Sequence, residues 1–260
     1  MTEVAAVVLA AGRGKRLRPL TDIRPKPLCP VANVPLVDLA IDEVVAVLGP
    51  LGPERLAVNA HHLADQLLAC LADRAHVEVE QPVALGTAGA LGNLRPWLAG
   101  RAVLVRNGDA WRRMSAPASF VADWDGVRPR LLVVDDRERP DFAGRWRYAG
   151  LALLAWADVA RLPVEPAGLY ETVWAAAERA GRLDLVTSDA DFVDCGTPAD
   201  YLRANLAANG GESVIGPEAS VEGEVIRSVV WPGGVVRKGE RLVDAIRVGA
   251  DLTVDARPAT

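Results

Sequence analysis

Apolar runs of strand type alternate with segments of helical periodicity through the first 208 residues of the chain. The run Val4–Leu9 is continuously apolar, which is typical of a strand buried on both faces of a parallel sheet. The alternation predicts an α/β fold of Rossmann-like type, with a mainly parallel sheet flanked by helices. The other predicted strands are 56–58, 77–79, 102–105, 131–134, 148–154 and 192–194, and the predicted helices are 35–48 from Pro35, 62–71, 88–94, 170–180 and a segment from Pro198 capped by Thr197.

The pattern changes after Asn209-Gly210-Gly211, where glycines become frequent and the helical spacing ends. Valine or leucine then recurs every sixth residue, and a six-residue period is typical of a left-handed parallel β-helix. A set of irregular hairpins is the alternative. We therefore predict an α/β domain over residues 1–208 and a short left-handed β-helix tail over 209–260, suited to packing or to self-association. The recurring positions are Val230, Val236, Leu242, Val248 and Val254, with Ile215 and Val221 at the same spacing upstream.

Composition narrows the class of protein. The formal net charge is −5, so no overall basic field favours nucleic acid. Cys29, Cys70 and Cys195 are far apart and form neither a zinc motif nor an evident disulfide pair, which suits a reducing compartment. An acidic residue precedes the first apolar run and cations follow it, unlike a secretory leader, and no run reaches the length of a membrane span. We expect a cytoplasmic protein without membrane or nucleic-acid partners.

The first predicted strand leads into a loop with two glycines and three cations, Gly12-Arg13-Gly14-Lys15-Arg16. Glycines let a polyphosphate approach the backbone N–H groups closely. A dinucleotide fingerprint would need a glycine where the chain has Leu17, and a Walker A loop would need a hydroxyl after Lys15. By itself the loop is compatible with a phosphate site or with a simple tight turn.

A lysine between two prolines follows in Pro25-Lys26-Pro27, where we expect a stiff, extended backbone that directs one ammonium group. An exposed lysine in a proline-rich loop is the alternative. Together the two segments read Leu-x-x-Gly-x-Gly-x-Arg-Leu-x-Pro-Leu-Thr and Pro-Lys-Pro-Leu-x-Pro-Val. This pattern resembles the signature of the nucleoside-diphosphate-sugar pyrophosphorylases, which are sugar-1-phosphate nucleotidyltransferases. The resemblance implies their nucleotide-diphospho-sugar transferase fold. It also implies a nucleotide-binding first loop comprising Leu9, Ala10, Ala11, Gly12, Gly14, Lys15 and Arg16.

Further segments match the family in chain order. Gln81 and Gly86-Thr87 resemble its nucleobase loop, where a glutamine amide both donates to and accepts from a base edge. A strand-to-helix turn with Thr87 as cap is an alternative compatible with that role. Asn107 belongs to the implied nucleotide site. Gly150 and Glu171 fall at the family's sugar contacts, although Glu171 is equally an ordinary first-turn acid.

Two aspartates at predicted strand ends complete the implied site. Asp109 resembles the family's first magnesium ligand, at the strand end where ligands bind in open α/β sheets. Asp194 resembles the second, with Phe192 in place of the usual tryptophan. The resemblance implies a Mg²⁺-dependent enzyme with Arg16, Lys26 and Asp109 in catalytic roles.

The implied reaction transfers a nucleoside monophosphate from a nucleoside triphosphate to a sugar 1-phosphate. The run 85–91 and the tail resemble those of mannose-1-phosphate guanylyltransferases, and this resemblance favours guanylyl transfer to mannose 1-phosphate. Uridylyl or thymidylyl transfer to glucose 1-phosphate or N-acetylmuramate 1-phosphate is the alternative. A non-catalytic NDP-sugar-binding regulator is a rival from another class. A tail-based acyltransferase is less compatible with the sequence, because the tail lacks a histidine base.

Overall fold

The computed structural model describes residues 3–113, 116–117 and 119–257. Contacts divide the chain into two compact units, each built from three segments. The sheet unit comprises residues 1–12, 40–108 and 114–191, and the tail unit comprises residues 13–39, 109–113 and 192–260. The sequence boundary proposed at 208/209 coincides with the end of a helix at Ala208. By contacts, however, the tail groups with two earlier segments of the chain.

The strands, numbered along the chain, are β1 (Val4–Leu9), β2 (Pro30–Val31), β3 (Val34–Pro35), β4 (Leu56–Ala60), β5 (His76–Val79), β6 (Ala102–Asn107), β7 (Ala110–Arg112), β8 (Arg130–Asp135), β9 (Trp146–Leu154), β10 (Asp184–Thr187), β11 (Phe192–Asp194), β12 (Val214–Ile215), β13 (Ser220–Val221), β14 (Glu224–Ile226), β15 (Val229–Val230), β16 (Val235–Val236), β17 (Arg241–Val243), β18 (Ala245–Val248) and β19 (Leu252–Asp255). The α-helices are α1 (Leu20–Ile23), α2 (Leu36–Leu48), α3 (Ala64–Leu71), α4 (Gly86–Asn93), α5 (Arg95–Leu98), α6 (Ser119–Ala122), α7 (Trp156–Val159), α8 (Ala175–Arg179) and α9 (Pro198–Ala208).

The sheet unit contains, among the described residues, a seven-stranded sheet in the order β10-β8-β9-β6-β1-β4-β5. Strand β9 runs antiparallel to both of its neighbours, and the remaining neighbours are parallel. The predicted mixed, mainly parallel sheet flanked by helices is confirmed. Strand β1 lies between β6 and β4, which explains why its sequence is apolar without alternation. Within the described residues, no helix is long and apolar enough to cross a membrane.

Several predicted elements differ in detail from the structure. Pro35 ends β3, and α2 begins one residue later. The segment predicted as one helix over 170–180 is a π-helical turn (Tyr170–Trp174) that runs into α8. Strand β7 was not predicted from the sequence. It pairs antiparallel with the predicted strand β11, and both strands lie outside the main sheet. Thr197 caps α9 as predicted, since its hydroxyl accepts from the Asp200 amide.

The last part of the tail unit is a stack of short parallel strands. Strand β12 pairs with β15 and β15 with β18, while β13 pairs with β16 and β14 with β17, all in parallel. Three parallel ladders are consistent with the predicted short β-helix. Only the pairing of β18 with β19 is antiparallel within the described part of this tail. The left-handed sense stays a prediction.

The six-residue pattern marks interior positions in most of the tail. Val230, Val236 and Leu242 pack into one buried cluster, and Val254 is also buried. Ile215 and Val221 are about two-fifths exposed, at 41% and 39%. The upstream members of the repeat are therefore not interior residues, because the first coil has a neighbouring coil on one side only.

Candidate functional site

Strand pairing in the tail unit brings two aspartates together from positions 85 residues apart in the sequence. Asp194 is the last residue of β11 and lies opposite Ala110, the first residue of β7. Asp109 immediately precedes Ala110, so the antiparallel register places both carboxylates at the same end of this small sheet. Their side chains are 39% and 35% exposed, which leaves carboxylate oxygens accessible to a ligand.

The ammonium group of Lys26 lies between these two carboxylates. Its Nζ is 2.9 Å from Asp109 Oδ2 and 3.2 Å from Asp194 Oδ1, and the side chain is only 5% exposed. Burial lowers the pKa of Lys26, but the charges of Asp109 and Asp194 outweigh burial and raise the pKa above its ordinary value. Lys26 is therefore protonated at neutral pH. The predicted extended backbone is wrong at this residue, because Lys26 begins a 3₁₀ turn over Lys26–Leu28 that includes Pro27.

Arg16 adds a second cation to the cluster. Its guanidinium Nη2 is 3.7 Å from Asp194 Oδ2, and the side chain is 72% exposed. A Cβ at Gly196 would lie 2.8 Å from the same Nη2 atom, so the absence of a side chain at Gly196 makes room for the guanidinium group. An exposed, planar guanidinium group is suited to bidentate binding of phosphate oxygens.

Gly14 is a second position where the site requires glycine. Its φ of +58° lies in the left-handed region, and an added Cβ would be 2.7 Å from Thr21 Cγ2 and 3.3 Å from Lys26 Cβ. The Thr21 hydroxyl donates to the Gly14 carbonyl at 2.9 Å. The glycine thus allows the first loop to pack directly against the base of Lys26, while Lys15 is exposed.

The two carboxylates in the tail unit fit a hard divalent cation that would also bind oxygens of a substrate. Asp109 and Asp194 supply carboxylate oxygens, which Mg²⁺ prefers, and the position between them is already occupied by a positive charge. Among the described residues, no group of three or more His, Cys, Asp and Glu side chains is arranged to hold a metal. Asp109 and Asp194 could hold such an ion only in part, and its remaining ligands would come from water or from a phosphate group.

In the sheet unit, a buried polar chain connects the first loop to the predicted nucleobase loop. The Ala10 amide donates to Asn59 Oδ1 at 2.6 Å, and Asn59 Nδ2 donates to Glu80 Oε1 at 2.7 Å. The other oxygen of Glu80 accepts from the Leu85 amide at 2.6 Å. Asn59 and Glu80 are almost fully buried, and sequence analysis missed both. The sequence features that could have indicated these two residues are a polar side chain within the apolar strand β4 and a carboxylate directly before Gln81.

Gly86 and Thr87 are fixed by a neighbouring segment of the sheet unit. Gly86 has a φ of +69°, and an added Cβ would lie 2.6 Å from the Ala167 carbonyl oxygen. The Thr87 hydroxyl accepts from the Leu169 amide at 2.8 Å. Thr87 is not the helix cap, because α4 begins at Gly86 and Leu85 is its N-cap. Close backbone packing therefore accounts for this glycine in the structure, while the Gln81 side chain is exposed.

Asn107 and Gly150 are brought together where β6 pairs with β9. Gly150 has a φ of +76°, and an added Cβ would be 3.0 Å from Arg106 Nη1 and 3.4 Å from Asn107 Cβ. Arg106 donates to the Asn107 carbonyl at 2.6 Å and to Glu43 Oε2 at 2.7 Å, as a buried ion pair. Glu171, in contrast, lies on the π-helical turn with its carboxylate beside Gly168.

The structure thus separates the predicted site residues into two groups. The tail unit brings together Gly14, Arg16, Lys26, Asp109 and Asp194. The sheet unit holds Leu9, the last residue of β1, paired with Asn107 of β6, together with the buried Ala10 and Ala11 and the exposed Gly12.

Comparison with known proteins bears on the same residues. Residues 5–129 match the family model described as nucleotidyl transferase. This segment of the chain is therefore similar to the nucleotidyl transferase domain. The match includes the first loop, Lys26, the Gln81–Gly86 segment and Asp109, and it confirms the resemblance that the motifs predicted.

Two relatives are named N-acetylmuramate alpha-1-phosphate uridylyltransferase. The protein from Neisseria meningitidis is 36% identical over 121 residues, covering 44% of this chain and 51% of the relative. The protein from Caulobacter vibrioides is 37% identical over 134 residues, covering 47% of this chain and 54% of the relative. The chain spans about half the length of these curated relatives.

One solved structure covers nearly the whole chain. It is named mannose-1-phosphate geranyltransferase, from Thermus thermophilus, and matches 97% of this chain and 95% of its own, with a TM-score of 0.67 at 18% identity. This likeness shows the fold, and it extends through the tail of the chain.

Proposed function

We propose that the chain transfers a nucleoside monophosphate from a nucleoside triphosphate to a sugar 1-phosphate and releases pyrophosphate. The observation that carries the proposal is the buried Lys26 ammonium group between Asp109 and Asp194, with the exposed Arg16 beside Asp194. Two cations suited to phosphate and two carboxylates suited to a divalent ion meet the needs of this transfer, in which catalysis is mostly positioning and electrostatics.

The chemical step is a displacement at the α-phosphorus. An oxygen of the sugar phosphate forms a new bond to that phosphorus, and the bond to the pyrophosphate oxygen breaks. The sugar phosphate is already anionic at neutral pH, so no general base is needed. Arg16 holds the β- and γ-phosphates through its planar fork, with Lys15 assisting. Lys26 donates to oxygens of the incoming phosphate and of the α-phosphate as charge moves between them.

Asp109 and Asp194 are the residues that would hold Mg²⁺. When bound, the ion neutralises phosphate oxygens and orients the leaving group. We assign nucleotide binding by the first loop to Leu9, Ala10, Ala11, Gly12 and Gly14.

We assign contacts with the nucleoside to Gln81, Gly86, Thr87 and Asn107. We assign contacts with the sugar to Gly150 and Glu171. The close approach of Gly150 to Asn107 supports a shared nucleoside and sugar role at this end of β6 and β9. The substrates have two candidate assignments. Resemblance of the run 85–91 and of the tail to mannose-1-phosphate guanylyltransferases supports guanylyl transfer to mannose 1-phosphate. The two relatives named N-acetylmuramate alpha-1-phosphate uridylyltransferase support uridylyl transfer to N-acetylmuramate 1-phosphate.

The test is pyrophosphate release measured for each pairing of GTP, UTP, dTTP, CTP and ATP with mannose, glucose and N-acetylmuramate 1-phosphates in Mg²⁺. One pairing should exceed the others by at least about tenfold, the scale of one lost specific contact. Absence of release with every pairing, together with thermal stabilisation by an NDP-sugar, would instead establish the non-catalytic regulator. We also propose self-association through the tail, to be tested by light scattering of the full chain and of the Ile215→Ser/Val221→Ser variant.

A further inference from the structure

The loop that carries Lys26 is fastened by residues of the tail and of α9. We define the Lys26 loop as residues 24–33. The Tyr201 hydroxyl donates to the Pro30 carbonyl, and the Trp231 indole N–H donates to the Tyr201 hydroxyl oxygen at 3.0 Å. An indole nitrogen is a donor only, so Tyr201 accepts from Trp231 and directs its single proton to Pro30. Tyr201 and Trp231 are 0% and 2% exposed, so this relay is shielded from water.

Trp231 also contacts the other end of the loop. The Arg24 guanidinium carbon lies 4.8 Å from the centroid of the Trp231 ring, at cation–π distance. Arg24 precedes Lys26 by two residues and Pro30 follows it by four. One indole therefore holds the chain on both sides of Lys26, by its ring face on one side and by its N–H through Tyr201 on the other.

Two asparagines secure the end of the loop. The Ala32 amide donates to Asn205 Oδ1 at 3.0 Å, and Asn205 Nδ2 donates to the Tyr201 carbonyl at 3.0 Å. Asn33 Nδ2 donates to the Ile215 carbonyl, also at 3.0 Å. Trp231 and Tyr201 share one buried apolar cluster with residues of the loop and of the tail, including Cys29, Val31, Val229 and Ile246.

The position of Lys26 depends on this attachment. Its ammonium group contacts two separate carboxylates, at 2.9 and 3.2 Å, from the end of a buried side chain. A shift of the loop by about 1 Å is enough to lose one of these contacts, and misplacements of that size cost about a hundredfold in rate in enzymes. We propose that Trp231 of the tail is a positioning residue for Lys26, acting through Tyr201 and Arg24. The kinetic part of this inference rests on the proposed function.

The first test uses no substrate. Backbone hydrogen exchange of peptides covering the Lys26 loop is compared among the wild type, Trp231→Phe and Tyr201→Phe. Phenylalanine keeps an aromatic ring in both variants and removes the hydrogen-bonding group. Exchange in the loop should accelerate by about fivefold or more, because its opening no longer breaks the relay. Unchanged exchange in both variants would overturn the inference, whether or not the chain is an enzyme.

Trp97→Phe is the matched control. The Trp97 indole N–H donates to the Pro53 carbonyl at 3.2 Å, and the Arg101 guanidinium carbon lies 4.8 Å from the ring centroid. The contacts resemble those of Trp231, but they lie in the sheet unit. This variant should leave exchange of the Lys26 loop unchanged, and acceleration here equal to that in Trp231→Phe would show a general loss of stability.

The second test is a double-mutant cycle on pyrophosphate release. Trp231→Phe should lower kcat by roughly tenfold to a hundredfold, with little change in the Kd of the nucleoside triphosphate. In a Lys26→Ala background the same substitution should change kcat by less than about twofold, because the residue through which it acts is absent. An equal loss in both backgrounds would refute action through Lys26. Tyr201→Phe provides the same comparison should Trp231→Phe fail to fold. If the wild type releases no pyrophosphate, the proposed function is refuted. The hydrogen-exchange result would then decide by itself whether Trp231 positions the Lys26 loop.

Discussion

Replacing Lys26 with methionine tests the candidate site most directly. Methionine keeps an unbranched side chain of similar length and removes the charge. The change deletes the ammonium group that contacts Asp109 at 2.9 Å and Asp194 at 3.2 Å. Among the described ion pairs, Arg16 then remains beside this pair of carboxylates, 3.7 Å from Asp194 and largely exposed. An exposed guanidinium group cannot replace a buried ammonium group fixed between the two carboxylates.

We expect the substitution to lower kcat/KM by about 10²–10³, or roughly 2.7–4 kcal/mol, which is the scale for removing one preorganised charge partner. The assay is pyrophosphate release in saturating Mg²⁺ with the preferred substrate pair. Lys238→Met is the control, because Lys238 is an exposed lysine of the tail. A Lys26→Met protein with kcat/KM within threefold of wild type would refute the assigned role.

The same variant should bind a divalent cation more tightly when no nucleotide is present. In the wild type the ammonium group occupies the position between the carboxylates that a metal would share. Two unit charges 4 Å apart at an effective dielectric constant of 20 interact by about 4 kcal/mol. Because the carboxylates are 39% and 35% exposed, we reduce the expected gain to about 1.4 kcal/mol, a factor of ten in Kd. Mn²⁺ titration followed by electron paramagnetic resonance measures this change, and equal Kd values for wild type and variant would contradict the reasoning.

Two further predictions concern stability of the sheet unit, measured by urea unfolding. Gly86→Ala should lower the free energy of unfolding by about 1–3 kcal/mol more than Gly181→Ala. Both glycines have positive φ, but of the two only Gly86 would place its new Cβ against a carbonyl oxygen, that of Ala167, at 2.6 Å. Equal losses in the two variants would show that this contact relaxes freely. Glu43→Ala should lower the free energy of unfolding by about 3–5 kcal/mol, because it removes the carboxylate that pairs with buried Arg106. Loss of an exposed ion pair costs at most about 1 kcal/mol. A loss below 1 kcal/mol in Glu43→Ala would therefore show that this pair contributes little to stability.

Sequence predicted the sheet well because its signal is local. A continuous apolar run such as Val4–Leu9 identifies a doubly covered strand from its own residues. Strand β7 was missed because Ala110–Arg112 is only three residues long and pairs with β11, some 80 positions later. Neither the length nor the pattern of such a strand distinguishes it from a turn.

The candidate site was predicted unevenly for a similar reason. Motif spacing identified Lys26, Asp109 and Asp194 individually, yet it carried no information on which atoms would touch. The position of the ammonium group between the carboxylates, and the link from Asn59 to Glu80, arise from contacts between distant segments. Buried polar residues of this kind follow from the need to satisfy backbone amides, which only the folded chain defines.

The charge balance of the tail-unit cluster explains why a metal would arrive with the nucleotide. Arg16 and Lys26 carry two positive charges, and Asp109 and Asp194 carry two negative charges, so these four side chains are neutral together. On the proposed function, a triphosphate would bring several negative charges to this cluster, and a phosphate drawn to Lys26 would also meet the two carboxylates that contact it. Asp109 and Asp194 would pair with a bound divalent ion instead, which would leave the Lys26 ammonium group available for phosphate. Two carboxylates alone would hold Mg²⁺ only weakly, so on the proposed function metal and nucleotide should bind together rather than separately.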